Sequence, residues 1–166
     1  MNKLTIKTLV PAALIGLLLA SPTFAAGTAD HSHDHHRHHD HASHDGTGMV
    51  LNQGERWATD AALREGMERV RATFVAALPA YKRGELSADA ATDAAQAIDD
   101  HVAFLVENCR LEAEADAVLH VLLAELLQGS AALRQAPHSS EGLPRIHGAL
   151  RDYPRYFDHP DWPPVD

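Results

Sequence analysis

From Leu51 almost to the end of the chain, apolar residues return at intervals of three and four, and no stretch alternates as a strand would. That rhythm restricts this part of the chain to helices. Leu63, Met67, Val70, Phe74, Leu78 and Tyr81 form one stripe, with Thr59 or Asp60 placed to cap its start and Lys82-Arg83-Gly84 to close it. Ser87 caps a second helix, where Ala91, Ala95, Ile98, Val102, Leu105 and Cys109 repeat the spacing and Asp89 supports the first turn. Glu112, Glu114 and Asp116 open a third. Its apolar surface, from Val118 and Leu119 through Leu126 and Leu127, is broad enough to make it the most buried helix, with Gly129 weakening its later part. After the loop at residues 136–142, Pro144 suits the first turn of a fourth helix carrying Ile146, Leu150, Tyr153 and Phe157, which Pro154 should kink or shorten. Short connections between helices make antiparallel neighbours. The expected fold is therefore all-α, an antiparallel up-down-up-down four-helix bundle over residues 50–166, with Trp57 and Trp162 packing over its ends.

The chain before this domain has a different character. Lys3 and Lys7, an apolar run from Leu9 to Ala20, and the small residues around Ala25 read as a secretory signal peptide over residues 1–25. The run is short for a spanning helix, so no permanent membrane anchor is expected. Residues 26–49 follow as a polar arm. Eight of the thirteen histidines fall here within fourteen residues: His31, His33, His35, His36, His38, His39, His41 and His44. No apolar side chain larger than Ala42 lies among them, so the tract cannot bury enough surface to offset the entropy of its own ordering. Neutral imidazole is the commonest protein ligand for zinc, copper and nickel, and Asp34 and Asp40 add harder donors. The arm is thus a candidate metal-binding segment.

Charge and cysteine usage exclude other classes. Without Lys3 and Lys7 the exported chain keeps 12 basic residues against 23 acidic ones, a balance that suits cations and argues against a nucleic-acid partner. Cys109 is the only cysteine, so no internal disulfide can form. It remains able to bind metal, join a second chain or stay buried. No pattern of a zinc protease, serine hydrolase, phosphate-binding loop or di-iron bundle is present, and no enzymatic activity is expected.

Helix geometry suggests a second group of ligands. Counted from the turn between the second and third helices, His101 and His120 each lie eight residues up, at roughly 12 Å, and Met67 lies at roughly 10 Å on the first helix. Cys109 is about two turns lower. Soft sulfur with imidazole suits copper or haem iron better than calcium or magnesium, although each residue is also an ordinary core or boundary choice.

Trp57-Ala58-Thr59-Asp60-Ala61-Ala62-Leu63-Arg64-Glu65-Gly66-Met67, Asn108-Cys109-Arg110-Leu111, Ala115-Asp116-Ala117-Val118-Leu119-His120 and Tyr156-Phe157-Asp158-His159-Pro160-Asp161-Trp162 resemble phrases of a group of exported bacterial helical proteins, some called DnrO-like. The resemblance spans Leu51 to Trp162 and excludes the arm. It implies a periplasmic helical domain and carries no activity with it. Met67 paired with a later histidine is also similar in residue type to haem-b four-helix cytochromes, while the absence of Cys-x-x-Cys-His argues against covalently attached haem.

The expected function is a periplasmic or secreted buffer or carrier of zinc, copper or nickel, passing ions to or from a metal transporter or efflux component. The alternatives are a haem-binding electron carrier and a partner-binding stress module in which the arm is incidental.

Overall fold

The computed structural model describes residues 48–166. The leader and the histidine tract lie outside the described residues. Four helices account for most of the domain: α1 (Ala61–Lys82), α2 (Ala88–Asn108), α3 (Ala113–Gln135) and α4 (Leu143–Tyr156). Two short strands, β1 (Trp57–Ala58) and β2 (Phe157–Asp158), flank them and pair in parallel, Trp57 opposite Phe157. The domain is therefore mostly helical, with a small ladder that periodicity does not announce. Each helix packs on its neighbours in sequence, and α1 also meets α4.

Local chemistry explains where the helices begin and end. Asp60, rather than Thr59, caps α1: its Oδ1 accepts from the Leu63 amide at 2.6 Å. The same carboxylate accepts from the Arg110 amide through Oδ2, also at 2.6 Å, and so ties the start of α1 to the α2–α3 connection. Thr59 is used differently, its hydroxyl donating to the Asp158 carbonyl beside the ladder. At the other end of α1, Gly84 takes a φ of +70° that a side chain would strain. Amide bonds from Gly84 to Tyr81 and from Glu85 to Ala80 then close the helix in a Schellman motif. Ser87 caps α2 by accepting from the Ala90 amide. Glu112 stands at the N-cap of α3 without a side-chain cap bond, so its contribution there is charge.

The core follows the stripes closely. Leu63, Met67, Val70 and Phe74 from α1, Ile98, Val102 and Leu105 from α2, and Ile146, Leu150 and Tyr153 from α4 are all buried. Helix α3 supplies Leu119, Leu122, Leu126 and Leu133 among its buried residues, while Leu127 is exposed and Val121 only partly covered. Among the described helices α3 is long and apolar enough, by length and composition, to cross a membrane, yet Leu119, Leu122, Leu123, Leu126 and Leu133 on it are buried in this core. Gly129 does not interrupt it, and the helix runs on to Gln135. Pro154 sits inside the last turn of α4, which ends two residues later where β2 begins. Met49, the expected last residue of the arm, is buried in the core.

Candidate functional site

The four candidate ligands of the domain sit in different surroundings. Met67 is fully enclosed, in the manner of core filling. His101 lies between α2 and α1, its Nε2 3.3 Å from the Thr73 hydroxyl. Burial, and then the Arg69 guanidinium, hold its pKa below the ordinary imidazole value, with Asp100 acting in the opposite direction. A guanidinium beside an imidazole also repels any metal cation brought to it. His120 is more than half exposed, and its Nδ1 lies 2.9 Å from the Asp116 carbonyl and 3.3 Å from the Asp116 carboxylate. Two donors one helical turn apart make at most a fragment of a zinc site, which usually takes four.

Cys109 ends α2, partly covered. Burial, followed by the carboxylates of Asp60 and Asp116, pushes its thiol up to about 11, with Arg110 opposing. A thiol must lose its proton to bind metal or attack an electrophile, so this one resists both at neutral pH. Alkylation by iodoacetamide at pH 8 is expected to run roughly a hundredfold slower in the folded protein than in urea, following the thiolate fraction. Equal rates in the two states would contradict this placement of the thiol. The same shift has a sign for stability: between the ordinary thiol value of 9.0 and about 11 the unfolded chain releases a proton that the folded chain keeps, so stability falls as pH rises through that window.

Among the described residues, no three histidine, cysteine, aspartate or glutamate side chains gather into a group that could hold a metal ion. His101, Cys109 and His120 thus share no site. Asp99, Asp100 and His101, adjacent in sequence, diverge as helix geometry requires. Asp99 accepts from Ser130 and pairs with Arg134 at 2.7 Å across the α2–α3 boundary, whereas Asp100 accepts from Gln96 on its own helix.

The tail beyond α4 brings together groups that the sequence pattern leaves separate. His159 is buried, with its Nδ1 3.0 Å from the Tyr153 hydroxyl and its Nε2 3.2 Å from a carboxylate oxygen of Glu68 on α1. A carboxylate can only accept, so Nε2 of the neutral ring carries the proton and Nδ1 is the acceptor for the Tyr153 O–H. The result is a directed chain from a fully buried phenol to a surface carboxylate. Tyr153 also stacks on Phe157 at 5.4 Å between ring centroids and meets the edge of Trp162 at 4.8 Å. Burial pushes the Tyr153 phenol far above its usual range, with the Arg64 guanidinium acting against the shift.

Between α3 and α4 runs an open groove of about 520 Å³, edged by Met49, Glu125, Glu141, Arg145 and Asp152. Its charges are already matched. Arg145 binds Glu125 and Glu141, each at 2.8 Å, and Asp152 pairs with Arg151 and Arg155.

No family model, curated protein or solved structure matches this chain. Chemistry must therefore be read from its own residues. Those of the domain offer a dense aromatic cluster and one hydrogen-bonded relay, and the arm offers imidazoles. The sequence carried partial signs of the relay. Tyr153 stands on the α4 stripe, and His159 lies six residues later in a tail rich in aromatic side chains. Glu68, 91 residues from its partner, carries no local sign.

Proposed function

We propose that this protein is an exported metal-binding protein, a buffer or carrier of zinc, copper or nickel, in which the histidine arm holds the ions and the helical domain is a scaffold. The observation that carries this reading is the placement of eight imidazoles within fourteen residues, behind a basic and apolar N-terminal segment that reads as an export signal. The domain is read as an antiparallel up-down-up-down bundle, supported by the short connections at residues 83–87 and 109–112 and by packing between sequence neighbours. Location in the periplasm, and delivery to a transporter or efflux component, belong to the same proposal.

Many imidazoles on a polar segment favour several overlapping sites of modest affinity over one tight site. Loading then competes with protonation near the ordinary imidazole pKa of about 6.5 and is lost in mild acid. The test is metal analysis of mature, untagged protein prepared without immobilised-metal chromatography, followed by titration with zinc, copper and nickel. The expected result is several equivalents bound to the full chain, most of them absent after deletion of Asp30 to Asp45. If the deleted form keeps the full stoichiometry, or the full chain binds no better than an unrelated protein, the arm is not the working part.

A further inference from the structure

A fully buried phenol cannot touch a substrate. Only electrons, which tunnel, and protons, which move along hydrogen bonds, reach the Tyr153 hydroxyl without opening the core. Both have a path here. The proton path runs from the hydroxyl to Nδ1 of His159 at 3.0 Å, within the distance at which an imidazole takes a proton, and the far nitrogen faces the Glu68 carboxylate. Glu68 is 64% exposed, so the relay ends in solvent. The electron path runs through Trp162, whose ring centroid is 4.8 Å from that of Tyr153 and whose side chain is only partly covered.

We propose that Tyr153 is a redox-active tyrosine, a built-in one-electron donor to outer-sphere oxidants such as trivalent transition-metal complexes. Oxidation of a phenol makes its hydroxyl strongly acidic, and a buried site cannot hold the charge, so electron and proton must leave together. In the step, Tyr153 gives one electron to the oxidant through Trp162. Its O–H bond breaks, and the proton forms a new N–H bond at Nδ1 of His159. The products are a neutral phenoxyl radical, an imidazolium facing the Glu68 carboxylate, and the oxidant reduced by one electron. The carboxylate stabilises the imidazolium as it forms. A one-electron reductant from solvent, of the thiol or ascorbate class, returns the electron, and the proton moves back to oxygen.

The two other tyrosines, Tyr81 and Tyr156, are internal references. The test is flash photolysis of the full mature chain with tris(bipyridine)ruthenium and persulfate, which generate the trivalent oxidant, read by tyrosyl absorption and electron paramagnetic resonance. A long-lived neutral tyrosyl radical is expected in the wild type and lost in Tyr153→Phe. His159→Phe is expected to slow formation of the radical and remove its solvent deuterium isotope effect. Glu68→Gln alters only the exposed end of the relay and is expected to slow the step while leaving the urea midpoint close to that of the wild type. Should Tyr153→Phe keep the long-lived signal, or should Glu68→Gln and His159→Phe both oxidise at the wild-type rate, the proposal is overturned.

Discussion

Tyr153→Ala is expected to destabilise the domain by about 3–5 kcal/mol, the usual cost of removing a large buried ring. That is a large share of the roughly 5–15 kcal/mol by which domains are held folded. Tyr153 is the hub of the tail: Phe157 stacks on it, while His159 and Trp162 meet its ring at steep angles. Truncation leaves a cavity beneath all three and strips the buried His159 of the partner at Nδ1. Tyr153→Phe separates these effects. It keeps the ring and orphans only the imidazole acceptor, so about 1–3 kcal/mol should be lost. Urea denaturation followed by circular dichroism measures both variants, and the gap between them is the worth of the ring. A Tyr153→Ala loss below 1 kcal/mol would mean that the tail is held elsewhere.

Gly129→Val is expected to destabilise the domain by about 2–3 kcal/mol. Helix propensity alone points the other way, since glycine inside a helix is worse than alanine by about 1 kcal/mol. Packing reverses the sign. A Cβ at this position would lie 2.7 Å from Cγ1 of Ile146 and 3.2 Å from both the Gly142 carbonyl oxygen and the Ile146 nitrogen. Two of these are backbone atoms, one in the N-cap of α4 and one in its first turn, which cannot rotate aside. Gly148, inside α4, has nothing within 4 Å of its added Cβ and serves as the matched control. There alanine should raise the urea midpoint while Gly129→Val lowers it. If both substitutions stabilise, α3 and α4 are not in close contact at Gly129.

These two positions mark the limit of what the sequence discloses. The helices were legible because their signals are local. Asp60, Ser87 and Gly84 act on amides or carbonyls within a few residues, and the stripes from Leu63 to Phe74 and from Ala91 to Leu105 report their own periodicity. Gly129 read as a weakness in α3 because the atoms that require a glycine belong to another helix. The shared level of His101 and His120 gathers no group of three donors among the described residues, for a geometric reason: rise per residue sets height along a helix and leaves azimuth open. On α3 the buried face runs through Leu119, Leu122 and Leu126, and His120 stands a hundred degrees beyond Leu119, in solvent. Glu68 was invisible as a partner of His159 because no rule of spacing links positions on α1 and the tail.

The parallel pairing of β1 with β2 has a topological consequence. Trp57 and Phe157 are a hundred residues apart in sequence yet adjacent in space, so the helical domain is a nearly closed loop sewn at one seam. Because the two strands run in the same direction, a circular permutant that bridges the seam needs a crossover linker of about a dozen residues, and the exposed turn near Gly84 is where its chain can open. Tension applied between residues 57 and 157 would load the seam before it reached any helix.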